Sequence, residues 1–150
     1  MRLSSCQRMT RLLLVDPEEN LRKHARTLLV DEGVDVCGEA TTGNQAIEEA
    51  KRLRPDIVVL DYSLPDITGV KAAYEIRQFH NKVKIVFFTI HDDAVISAAA
   101  RVVGADAFVS KSSFGELVLA VRRLIEDRGP VGLGAATIST ESLEQTTGPR

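Results

Sequence analysis

The chain has 150 residues, 44% hydrophobic and 27% charged, which suits one globular domain with a core of its own and leaves two domains crowded. Its formal net charge of -2 and pI near 5.9 argue against a protein held to nucleic acid mainly by phosphate neutralisation, which needs a basic face. No apolar run approaches the roughly 18 to 20 residues of a membrane helix, and the opening MRLSSCQRMT lacks the apolar stretch of a secretory signal. The expectation is a cytoplasmic protein with no membrane contact and no direct nucleic-acid binding.

Residues 1–10 read as an N-terminal extension. Five short runs rich in Val, Ile, Leu and Phe follow, at 11–15, 34–37, 57–60, 83–88 and 107–109, each of strand length. After the first run, Leu21, Ala25, Leu28 and Leu29 recur at helical spacing and Gly33 marks the stop. Ala46, Ile47, Ala50 and Leu53 repeat the pattern before Pro55, and Val70, Ala73 and Ile76 repeat it again. A fourth helix is predicted over about 94–103, ahead of Gly104. The fifth, over 114–128, carries Leu117, Val121, Leu124 and Ile125 on one face and Arg122, Arg123, Glu126 and Asp127 on the other. Beyond it, twelve of the 22 residues in 129–150 are Gly, Pro, Ser or Thr, the composition of a flexible tail or linker.

The order is strand then helix, five times. Runs such as VVL and IVFF lack polar alternation, which suits strands of a parallel sheet covered by helices on both faces. The predicted class is therefore α/β, doubly wound, with right-handed crossovers.

Four of the runs lead into residues with chemistry: Asp16, Asp61, Thr89 and Lys111. In an open parallel sheet the carboxyl ends of the strands share one edge, and ligands bind in the crevice there. Two carboxylates, a hydroxyl and an ammonium converging on that edge suit a phosphoryl group with a divalent cation. A carboxylate among them can also act as nucleophile. The plainer alternative is that Asp16 and Asp61 only cap the helices or turns that follow.

Other features carry less. Cys6 and Cys37 have no second cysteine or histidine at ligand spacing and read as free thiols. His24, His80 and His91 are irregularly spaced and form no ligand set. Tyr74, Phe79, Phe87, Phe88 and Phe114 read as core or rim aromatics, since the chain has no basic aromatic strip.

The segments LLLVD at 12–16, VVLDYSLPDITG at 58–69, VFFTIHDD at 86–93 and GADAFVSK at 104–111 together resemble the receiver domain of two-component response regulators, over about residues 11–128. The resemblance implies a flavodoxin-like sheet in the order 2-1-3-4-5 with five helices. It implies that Asp61 accepts a phosphoryl group from a histidine kinase or phosphotransfer protein, with Thr89 and Lys111 completing the catalytic set. Mg2+ is the implied cofactor, held by Asp16, Asp61 and the backbone carbonyl of Ser63. Thr89 and Phe108 match the switch positions, and Ser63 and His91 match positions that tune phosphoryl lifetime.

One departure bears on the metal. The family usually has two adjacent acids after the first strand, whereas this chain reads Asp16-Pro17-Glu18. Either Glu18 reaches around Pro17 to replace the missing carboxylate or cation binding is weakened. Pro17 also suits the first turn of a helix with Asp16 as N-cap.

The leading expectation is a phosphorylatable receiver that catalyses phosphoryl transfer to its own Asp61 and later dephosphorylation, without being a conventional enzyme. The alternatives are a pseudo-receiver that only binds partners and the regulatory part of a transcription factor without its DNA-binding module. The fourth helix, with Ala94, Val95, Ile96, Ala98, Ala99, Ala100, Val102 and Val103, is apolar on more than one stripe. It marks a candidate homodimer surface with the fifth helix.

Overall fold

All five apolar runs become parallel strands in a computed structural model that describes residues 8–90 and 94–127. The elements are β1 (Arg11–Val15), α1 (Glu19–Asp31), β2 (Asp35–Ala40), α2 (Gly43–Leu53), β3 (Ile57–Leu60), α3 (Gly69–Phe79), β4 (Lys84–Thr89), α4 (Ala94–Val102), β5 (Ala107–Ser110) and α5 (Phe114–Glu126). The sheet order is β2-β1-β3-β4-β5, with each neighbouring pair parallel. The expected doubly wound, flavodoxin-like fold is the observed one.

Strand periodicity divides the core between the two faces. Leu12, Leu14, Ile57, Val59, Val86, Phe88 and Val109 pack with Ala25 and Leu29 of α1 and with Leu117, Val121 and Leu124 of α5. Leu13, Val15, Val58, Leu60, Ile85 and Phe87 pack on the other face with Ala46 and Ala50 of α2, Ala73 and Ile76 of α3, and Ala100 of α4. Both faces are dry, which is why the central strands show no polar alternation.

The helix boundaries follow local chemistry. Thr42, Thr68 and Ser113 cap α2, α3 and α5, each side chain accepting the N–H three residues on. The ring of Pro55 disfavours a right-handed helical residue before it; Arg54 takes the left-handed region at φ 49 and ends α2. Gly33 and Gly104, at φ 86 and 76, make the turns after α1 and α4.

Some expectations need correction. Asp16 is not the N-cap of α1. Glu18 is, its side chain accepting from the Leu21 amide, so Pro17 lies before the helix and not in its first turn. The second strand runs to Ala40 and not to residue 37, because β1 keeps pairing past a register shift that follows Leu12. Gly38 lies in this stretch, where a Cβ would meet the Leu53 side-chain tip at 2.6 Å. Helix α5 ends at Glu126 with Asp127 as its cap, two residues short of the expected 128.

The readings for residues 1–7, His91 and 129–150 lie outside the described residues. No helix among the described residues is long and apolar enough to cross a membrane.

Candidate functional site

Asp16 and Asp61 stand one residue beyond the carboxyl ends of the adjacent strands β1 and β3. The parallel ladder extends past the strands to fix both: the Asp16 amide donates to Ala40 O at 3.0 Å and the Asp61 amide to Val15 O at 3.2 Å. This is the point where strand order reverses, β2 lying on one side of β1 and β3 on the other. The two carboxylates are 5% and 8% exposed.

Lys111 makes them a unit. Its main-chain N–H donates to Thr89 O at 2.9 Å, continuing the β4–β5 ladder. Its Nζ reaches Asp16 Oδ2 at 2.7 Å and Asp61 Oδ2 at 2.9 Å, and the side chain is 6% exposed. Burial works against the ammonium. The hydrogen bonds and charges of Asp16 and Asp61 outweigh it, so Lys111 titrates above the usual lysine value. The cluster keeps one net negative charge, from two carboxylates and one ammonium.

Thr89 is the last residue of β4, fully buried beside Ser110 in the β4–β5 register. Phe108 lies two residues earlier on β5, half-buried and tilted against Phe87 at a centroid distance of 6.5 Å. Ser63 is exposed, and its amide approaches Asp61 Oδ1 at 3.4 Å, a long contact. Glu18 is also exposed, and its carboxylate accepts from the Leu21 amide at 3.0 Å. The structure thus brings Asp16, Asp61 and Lys111 into direct contact, with Thr89 at the adjoining strand end.

The turn after Asp61 is held by two residues of the VVLDYSLPDITG segment to which sequence reading assigned no structural role. Asp66 accepts from the Gly43 and Asn44 amides at 2.8 and 2.9 Å, tying the β3–α3 loop to the start of α2. These backbone hydrogen bonds hold its carboxyl below the usual aspartate value, against desolvation. Gly69 donates to Tyr62 O at 2.7 Å, and a Cβ at its position would fall 2.1 Å from the Asp61 carbonyl oxygen. Only glycine lets α3 start this close to the strand end. Arg22, also missed, donates from Nη1 to the Asp16 carbonyl at 2.8 Å. Its other partner, Glu39, is 17 residues away in sequence, so no local pattern marked it.

The donor set fits Mg2+. That ion commonly takes one or two carboxylates, with water and phosphate oxygens filling its other positions. Asp16 and Asp61 would supply the carboxylates at the strand edge. Among the described residues no third acid, His or Cys joins them, which agrees with Glu18 being used as a helix cap.

The sequence profile of the response regulator receiver domain matches residues 12–122. The chain is 33% identical to the chemotaxis protein CheY of Thermotoga maritima over 101 residues, 67% of this chain and 84% of that one. It is 34% identical to the response regulator UvrY of Escherichia coli over 116 residues, 76% of this chain and 53% of UvrY. It spans about half the length of UvrY and of GacA from Pseudomonas viridiflava. Among solved structures, the receiver domain of NarL from Mycobacterium tuberculosis superposes with a TM-score of 0.75 at 29% identity, covering 81% of this chain and all of that one. A LuxR-family response regulator from Aurantimonas gives 0.76 at 30% identity, covering 89% and 99%. The sheet order, the acid pair bridged by lysine and these likenesses agree: the chain belongs to the response regulator receiver domain family.

Proposed function

We propose that this receiver is phosphorylated on Asp61 by the phosphohistidine of a partner kinase or phosphotransfer protein, in the presence of Mg2+, and that the modification switches a protein-interaction surface. The observation that carries the reading is the single ammonium of Lys111 in contact with both buried carboxylates. A carboxylate oxygen of Asp61 attacks the donor's phosphorus; the O–P bond forms as the P–N bond breaks, and the imidazole nitrogen leaves with the electron pair. Bound Mg2+ would supply charge neutralisation at the phosphoryl oxygens. Lys111 then pairs with the phosphoryl group, and Thr89 donates its hydroxyl to it. Water later attacks the same phosphorus, which restores the carboxylate and releases inorganic phosphate. Ser63 and His91 would set the rate of that hydrolysis.

The acyl phosphate carries close to two negative charges where Asp61 carried one. Drawing Thr89 toward it vacates space behind β4, and Phe108 follows inward. A hollow of about 160 Å³ lined by Ser97, Ala100, Arg101, Ala105 and Phe108 lies under α4, where this rearrangement would be felt. Val95 and Val102, seven residues apart on α4, are 78% and 84% exposed. With Leu119 of α5 at 47%, they supply apolar surface for a homodimer or an output partner.

Two observations favour a second reading, a pseudo-receiver that binds partners without useful phosphorylation: Pro17 stands where an acid would otherwise be, and Glu18 is engaged at the start of α1. Incubation with Mg2+ and acetyl phosphate, followed by intact mass measurement, separates the two. The expected result is a single acid-stable, base-labile phosphoryl adduct that is lost in Asp61→Asn. No adduct at any Mg2+ concentration on folded protein establishes the pseudo-receiver instead.

A further inference from the structure

Arg22 stands one turn into α1, outside the cluster of Asp16, Asp61 and Lys111, yet its side chain is only 14% exposed. Its Nε donates to Glu39 Oε1 at 2.6 Å, and its Nη1 to the Asp16 carbonyl at 2.8 Å. The second oxygen of Glu39 accepts from Arg26 at 2.6 Å. A guanidinium this buried is tolerated because it is paired, and its planar fork fixes the two acceptors relative to each other.

Asp16 is consequently held at four points. Its amide goes to Ala40, its carbonyl to Arg22, Oδ1 to the Glu18 amide and Oδ2 to Lys111. The carbonyl tie comes from a side chain that touches neither Asp61 nor Lys111. It falls on the peptide group leading into Pro17, where a second acid is absent and Asp16 is the one carboxylate at the end of β1.

We infer that Arg22 is a positioning residue for the divalent cation: its grip on the Asp16 carbonyl fixes the β1–α1 turn and so aims the Asp16 carboxylate into the site. The inference rests on the cation and phosphoryl reading above and adds to it a residue that touches neither group. Its sign is diagnostic. Arg22 is a positive charge near a cation site, so its removal by charge alone should tighten Mg2+ binding. Loss of positioning weakens it, by about tenfold or more for groups that orient a metal ligand.

The test is a titration of the unphosphorylated full chain with Mg2+ alone, followed by backbone amide shifts, alongside thermal unfolding without metal. Arg26→Ala serves as the control, because it removes an ion pair to the same Glu39 without touching Asp16. Arg22→Ala is expected to raise the Mg2+ half-saturation by about tenfold, while Arg26→Ala leaves it at the wild-type value. Arg22→Lys should fall between them, keeping one contact of the two. Glu39→Gln, which still accepts from Nε, should stay near wild type. If Arg22→Ala does not fold, Arg22→Lys and Glu39→Gln carry the comparison. An unchanged or lowered half-saturation in the Arg22 variants overturns the inference while leaving the site reading intact, and so does an equal loss in Arg26→Ala. A wild-type chain that binds no Mg2+ removes the site reading itself, and the inference falls with it.

Discussion

At Pro17 one ring replaces a charge and also removes an N–H. Asp16 fills the vacated role of turn former, its Oδ1 accepting the Glu18 amide at 2.8 Å. The proposed cation site is left with two carboxylates, both shared with Lys111. Any Mg2+ must compete with that ammonium, so binding should be weak until a phosphoryl group gives the lysine another partner. Restoring an acid with Pro17→Asp is expected to tighten Mg2+ binding about tenfold, or about 1.4 kcal/mol. Titration monitored by amide shifts checks it, and equal affinities for the two proteins would mean that residue 17 does not face the ion.

Among the elements, the β3–α3 loop is the one whose placement matters most, since it carries Asp61 and Ser63. It is clamped twice, by Asp66 on the first amides of α2 and by Gly69 packed against the Asp61 carbonyl. A methyl group at 69 has backbone for its neighbour, which cannot swing aside. Gly69→Ala should therefore cost about 2–3 kcal/mol and slow phosphorylation of whatever remains folded. Gly115 in α5 makes the opposite case. A Cβ there meets nothing within 4 Å, and Gly115→Ala should stabilise by about 0.5 kcal/mol. Urea unfolding of the two variants tests the contrast, which depends on the approach of α3 to the strand end and not on glycine content.

Taken whole, the molecule carries charge that folding has placed, and its stability should show this at both ends of the pH scale. Lys111 has a folded pKa raised by Asp16 and Asp61 in excess of the burial penalty. Its contribution is complete below the unfolded lysine value of about 10.4 and is lost as pH rises through the higher folded value. Asp66 has a folded pKa lowered by the amides it accepts from. Its contribution is present above the unfolded aspartate value of about 3.9 and is lost as pH falls through the lower folded one. Thermal unfolding across pH should show Asp66→Asn flattening the acid limb alone, and Lys111→Met removing the alkaline contribution while also altering the acid limb, because it strips the counter-charge from two buried carboxylates. The exposed stripe of Val95 and Val102 bears on assembly. If it forms the homodimer surface, sedimentation should show dimer gained on phosphorylation and lost in Val95→Asp; a monomer in both states assigns the stripe to another partner.

The amino-acid sequence by itself determined the alternation of strands and helices, the double winding, and the four chemical residues at the strand ends. These are legible because a buried parallel strand must be apolar throughout, and because the chain's polar residues resume where the sheet stops. The cap of α1 was misplaced by two residues, from Asp16 to Glu18, since both acids suit a cap and only the path of the turn chooses between them. The end of β2 was also hidden, because the apolar run stops at Cys37 while pairing with β1 continues to Ala40. What tertiary structure alone decided is the company each charge keeps. Lys111 lies 50 residues from Asp61 in sequence and Arg22 lies 17 from Glu39. Pairings across that separation are fixed by strand order and helix docking, which no local spacing encodes.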